Sequence, residues 1–211
     1  MRLLRMGMAL LAFCSLLFAN VQAQEKQHDD FGIWGDVHFT KTWDNGIYLG
    51  LRAEGRSCDL TRSLDCWFIR PIFGYKPLKW LKFDAEYDFM MLPESRIRHD
   101  FLFSVMGTLK RENLSVSWRE RYMLMAMHDG SSLSHTLRSF LQVKYQIGES
   151  RFAPYMAIEL FTWDKWQKTR HYVGTDIRVS KHSALDIYYV YYTFAGCPAE
   201  HIAGIGYNIS L

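Results

Sequence analysis

Polar and apolar side chains alternate with period two along most of the chain after residue 24. Residues 81–91 carry the pattern most cleanly. Leu81, Phe83, Ala85, Tyr87, Phe89 and Met91 share one parity, and Lys82, Asp84, Glu86, Asp88 and Met90 share the other. One face is apolar and the other carries four charges, which suits a strand and cannot suit an amphipathic helix. Ile47, Leu49, Leu51 and Ala53 alternate likewise with Tyr48, Gly50, Arg52, Glu54 and Arg56. Further alternating runs cover 135–147, 170–179 and 201–211, and similar segments cover 32–41, 66–76, 100–109, 114–125, 152–163 and 184–194.

The pattern predicts eleven strands, within a range of ten to twelve, most near the roughly 9–11 residues that a tilted strand needs to cross a bilayer. Connections alternate in length. Short turns fall at 42–46, 76–80, 110–113, 148–151 and 180–183, and longer loops at 57–65, 92–98, 126–134, 164–168 and 195–200. Short on one side and long on the other is the habit of outer-membrane barrels. The expected fold is all-β: a single antiparallel up-and-down transmembrane β-barrel over residues 32–211. An odd number of strands is unusual for such a barrel. Residues 24–31, a short N-terminal extension, could thread back through the lumen or supply a further crossing.

Period two does not say which face points outward. A soluble periplasmic lipid-binding barrel would put the apolar face inside. Tyrosine and tryptophan at strand ends (Trp34, Trp43, Trp67, Trp80, Trp163, Tyr145, Tyr207) resemble interfacial girdles and favour the membrane. The polar face is rich in arginine and acids, where a watered surface would carry more lysine. Gly206-Tyr207-Asn208-Ile209-Ser210-Leu211 is similar to the C-terminal signal read by the barrel-assembly machinery, with Leu211 in place of the usual Phe. The expected location is the outer membrane of a Gram-negative cell. Outer-membrane lipids and lipopolysaccharide are then the expected surroundings.

The apolar face being outward, the lumen is expected to hold Arg52, Glu54, Arg56, Arg70, Asp84, Glu86, Asp88, Arg119, Arg121, Arg138, Glu159, Arg170, Asp176, Arg178 and Asp186. Buried charges are costly unless paired, so pairing among them is nearly obligatory. They would brace the barrel; a polar conduit or a small-ligand site is the functional alternative.

Composition and charge narrow the rest. The 211 residues are 49% hydrophobic, 16% aromatic and 22% charged, which is ample for a core and excludes disorder. A net charge of +3 is too small to point to nucleic acid. Residues 1–23, with Arg2 and Arg5 before an apolar run and Val21-Gln22-Ala23 at its end, read as a cleaved secretory signal peptide. Cys58, Cys66 and Cys197 would remain in an oxidising compartment, where a Cys58–Cys66 bridge is allowed and would contribute about 2.5 kcal/mol. Cys197 is a competing partner. The cysteines lack the spacing of a metal site, no cofactor motif is present, and no cofactor is expected.

One loop gathers His128, Asp129, Ser134 and His135, the parts of an acyl-transfer site. An outer-membrane lipid hydrolase acting at the extracellular rim would use them. A merely solvated polar loop is the better reading of adjacent residues, since a triad is defined by geometry. His99, His135, His171 and His201 fall on the outward parity near extracellular strand ends, where they and Arg62, Arg96 and Arg98 could meet lipid phosphates. Glu120 also falls on the outward parity, which points to a strand end or a bulge.

The order of motifs resembles a family of small outer-membrane barrels catalogued as domain of unknown function 2490. The resemblance rests on Ile33-Trp34-Gly35-Asp36-Val37, on Leu51-Arg52-Ala53-Glu54-Gly55-Arg56, and on Arg70-Pro71-Ile72-Phe73-Gly74-Tyr75-Lys76. It continues through Trp118-Arg119-Glu120-Arg121-Tyr122, Pro154-Tyr155 to Glu159, and Arg170-His171-Tyr172-Val173-Gly174. It implies a location and a fold, and no activity.

Overall fold

The computed structural model describes residues 30–211. The signal-peptide reading of residues 1–23 and most of the 24–31 extension lie outside the described residues. Asp30 and Phe31 belong to the first strand rather than to an extension.

Eleven strands close into one barrel: β1 (Asp30–Thr42), β2 (Ile47–Cys58), β3 (Ser63–Leu78), β4 (Leu81–Met91), β5 (Ile97–Arg111), β6 (Leu114–Met127), β7 (Leu133–Tyr145), β8 (Phe152–Trp163), β9 (Lys165–Arg178), β10 (Ser183–Phe194) and β11 (Cys197–Ser210). A 3-10 turn at Pro93–Ser95 interrupts the connection from β4 to β5. Every sequential pair is antiparallel. The seam between β1 and β11 is parallel, from Asp30 opposite Glu200 to Thr40 opposite Ser210. An odd number of up-and-down strands can close only through one such pair. The fold is thus antiparallel except at its closure.

We call the end holding the β2–β3 tip the upper rim and the end holding Leu211 the lower rim. The contrast between short turns and long loops is not seen. Pairing runs on through polar residues at the upper rim, as in Cys58 opposite Ser63 and Arg98 opposite Met127. The tips shrink to 59–62, 92–96, 128–132, 164 and 195–196. Beyond the apolar band a strand needs no apolar residues to stay paired, so its polarity disguises it as loop. At the lower rim Gly46 holds φ +84°, and a Cβ there would stand 2.6 Å from the Lys76 carbonyl oxygen, so the β1–β2 turn requires glycine.

Alternation sorts the side chains as the pattern predicts. Phe73 (55% exposed), Phe83 (42%) and Phe103 (57%) stand outside, whereas Asp88 and Glu159 (1% each) and Asp100 (0%) stand inside. A soluble barrel with an apolar interior has the opposite arrangement. Tryptophans ring both ends: Trp163 and Trp166 are exposed at the upper rim, and Trp43 and Trp80 at the lower, where Trp80 stacks on Trp118 at 6.4 Å. Trp34 departs from the girdle reading. It shares the parity of Asp36 and His38 and is buried inside the barrel.

Candidate functional site

Among the described residues, inward side chains of every strand line the lumen, and most of its arginines fall in three clusters, two of which join strands that are not neighbours in the sheet. On β3, β4 and β6, Arg70 donates to Asp88 (Nη2 to Oδ2, 2.6 Å) and reaches Glu86 at 3.2 Å. Arg121 donates to the same Glu86 and, at 2.7 Å, to Ser104. On β1 and β2, Arg52 bridges Asp36 (3.0 Å) and Glu54 (2.8 Å), and Arg56 also pairs with Glu54 (2.6 Å).

The third cluster differs in its balance. Glu159 on β8 accepts from Arg119 on β6 (2.7 Å), Arg138 on β7 (2.8 Å) and Arg170 on β9 (3.4 Å), and from the Tyr172 hydroxyl (3.2 Å). One carboxylate serves three guanidiniums. Aromatic faces supply the rest of their support: Arg119 lies 4.9 Å from the centroid of Phe140, Arg138 4.7 Å from Phe161, and Arg170 4.4 Å from Tyr192. A ring face stabilises a guanidinium without occupying its in-plane N–H groups. The buried Nε atoms of Arg52, Arg119 and Arg170 have no hydrogen-bond partner among the described residues.

These groups line a central chamber of about 230 Å³, whose walls carry seven arginines and four carboxylates. A second chamber of about 260 Å³ opens toward the upper rim, among Asp30, Cys58, Asp65, Arg98 and Glu200. Trp34, Arg56 and Arg170 line both chambers. Arg56 stands 4.3 Å from the centroid of Trp34 and Arg170 4.7 Å from it, forming a guanidinium–indole–guanidinium divider.

Among the residues expected in the lumen, Arg178 lies exposed at the lower rim, with Nη2 donating to the Ser150 carbonyl (3.4 Å). Asp176 pairs with Lys144, Asp84 with Lys82 (3.2 Å), and Asp186 accepts from the Tyr155 hydroxyl (2.9 Å). Trp34, Asp36, Lys144 and Tyr172 also face the lumen, and each shares the parity of an inward charge two residues away or pairs with one. Glu120 stands mid-strand on β6 with no bulge in either of its ladders, and accepts from the Ser139 hydroxyl at 2.6 Å. The expectation of a strand end or a bulge is overturned; Glu120 faces outward in a groove of apolar side chains including Phe83, Phe103 and Leu137.

The loop cluster does not assemble as a Ser–His–Asp chain. Nδ1 of His135 is held by the Tyr122 hydroxyl, His128 bonds His99 at 3.0 Å, and Ser134 stands exposed on β7. Hydrogen bonds from the Ser131 side chain and backbone hold exposed Asp129 below the usual carboxylate range. The Cys58–Cys66 bridge is not formed. Register places Cys58 opposite Ser63 and Cys66 opposite Arg56, and Cys66 is buried against Phe68 and Met90. Among the described residues, no group of three or more His, Cys, Asp or Glu is arranged to hold a metal ion.

A family model described as "Protein of unknown function (DUF2490)" matches residues 31–196. No curated protein matches the chain. Among solved structures the barrel is similar to one described as the NanC porin. That structure is 14% identical, covers 77% of this chain and 85% of its own, and superposes with a TM-score of 0.50. At that identity the likeness concerns the fold.

Proposed function

The chain belongs to the family described as protein of unknown function DUF2490, and we propose that it is an outer-membrane barrel that admits small anionic solutes into an arginine-lined lumen. The membrane reading is supported by the apolar outward face, the tryptophans at both rims and the likeness to a structure described as a porin. Burying so many charges inside and leaving phenylalanines outside is favourable only when hydrocarbon is the outer solvent.

The observation that carries the anionic preference is the Glu159 cluster. Its three guanidiniums against one carboxylate leave two positive charges in excess on the β6–β9 wall. The other clusters are closer to neutral, since Glu54 and Asp36 answer Arg52 and Arg56, and Glu86 and Asp88 answer Arg70 and Arg121. A low-dielectric wall concentrates such an excess and raises the local concentration of anions.

Liposome swelling tests this directly. Proteoliposomes of the refolded chain, with an ionophore to carry potassium, should swell faster in the potassium salt of a small carboxylate than in an uncharged solute of the same size. Equal rates, or no swelling in either, would overturn the proposal.

A further inference from the structure

The outward face just below the upper rim carries a repeated pair that the lumen does not use. On β4 and β5 the Tyr87 hydroxyl stands 2.6 Å from Nδ1 of His99. On β6 and β7 Tyr122 makes the same contact with Nδ1 of His135, and on β10 and β11 Tyr189 makes it with Nδ1 of His201. His171 on β9 packs its ring 6.2 Å from Tyr191, which in turn lies 5.4 Å from His201. The belt follows the barrel from β4 to β11. Toward mid-barrel on the same parity come Phe101, Leu137 and Val173, all exposed and apolar. The pairs therefore lie between that band and the tips 92–96 and 128–132, with Ile97 and Leu133 the last apolar steps to the rim.

Their chemistry has a direction. A phenol is a stronger acid than a neutral imidazole N–H, so the tyrosine donates to Nδ1 and the ring proton resides on Nε2. His135 is additionally fixed by stacking on Trp163 at 5.2 Å and 22°. At β5 the relay is one step longer. Nε2 of His99 lies 3.0 Å from Nδ1 of His128, so His99 donates onward and the proton offered is that on Nε2 of exposed His128. The belt thus offers oriented N–H donors at several stations, on side chains locked by a partner and by ring packing.

We propose that this Tyr–His belt binds the phosphate groups of a phosphorylated membrane lipid in the leaflet at the upper rim. The inference rests on the membrane reading above. Phosphate oxygens are the acceptors found at that depth of a bilayer, and N–H donors to an anionic oxygen make the stronger class of hydrogen bond. A tautomer fixed in advance costs no rearrangement on binding.

Native mass spectrometry of the refolded full chain in mild detergent tests this, with diphosphorylated lipid A, the same lipid stripped of its phosphates, and inorganic phosphate as probes. The phosphorylated lipid should bind about tenfold more tightly than the stripped one, the difference that one added charge-assisted hydrogen bond supplies. Combining His99→Phe, His128→Phe, His135→Phe and His201→Phe keeps the rings, removes the donors and should abolish that preference. Equal binding of the two lipids by the wild-type chain would overturn the proposal, as would inorganic phosphate competing the lipid away. The wild-type comparison decides even where the quadruple variant does not fold. A chain that stays monodisperse without detergent would sink the membrane reading and this proposal together. A detergent-requiring barrel that treats both lipids alike would sink this proposal only.

Discussion

The guanidinium of Arg56 lies 4.3 Å from the centroid of the Trp34 indole, while Arg170 approaches the same ring to 4.7 Å from β9. The stack joins β1, β2 and β9 across the lumen and separates the two chambers. Trp34→Ala should therefore merge them. Single-channel recordings are expected to show a higher conductance, since the arginines remain and only the divider is lost. Truncating so large a buried side chain should also cost about 3–5 kcal/mol. An unaltered conductance would place the narrow point elsewhere.

Glu159 is the shared counter-charge of Arg119, Arg138 and Arg170. Glu159→Gln keeps the shape and removes the charge, leaving three guanidiniums facing one another. Loss of one partner from a buried ionic cluster typically costs about 3–5 kcal/mol. Urea unfolding of the refolded barrel in lipid should show a lower midpoint. A midpoint equal to wild type would mean the aromatic faces alone hold these arginines.

The outer surface yields a pair of opposite expectations. Phe83, exposed outward on β4 among Phe73, Phe103 and Val105, should tolerate arginine poorly, and Phe83→Arg should cost about 2–4 kcal/mol in a bilayer. Glu120 is the reverse case, a carboxylate already on the apolar side with Ser139 as its hydrogen-bond donor. Glu120→Leu should stabilise the barrel by up to about 2 kcal/mol. Reversible unfolding in lipid vesicles measures both. If Phe83→Arg were harmless and Glu120→Leu damaging, the outward face would not be meeting hydrocarbon.

Much of this architecture was legible because a strand between two different solvents writes both of them into its parity. Leu81 to Met91 shows the barrel wall in eleven residues, and β4 begins and ends where that alternation does. Trp34 was misplaced because its residue type suggested a girdle, whereas its parity with Asp36 and His38 placed it inside. The upper tips read as loops in the sequence because pairs such as Cys58 with Ser63 lie beyond the apolar band, where strands carry no hydrophobic signature. Which arginine meets which acid was not legible at all. Arg119 and Glu159 stand two strands apart and 40 residues apart in sequence, and the stagger of the closed barrel brings them to 2.7 Å. Glu120 broke the alternation rule, and its hydroxyl partner Ser139 lies on the neighbouring strand, outside any local pattern.

The proposed route for anions stands or falls on the arginine excess around Glu159. Reversal potentials of the refolded chain in planar bilayers, under a potassium chloride gradient, measure that claim most directly. A potential of the sign set by chloride is predicted, shrinking when Arg119 and Arg138 are together replaced by glutamine. A potential set by potassium, or a barrel that inserts and never conducts, would contradict it.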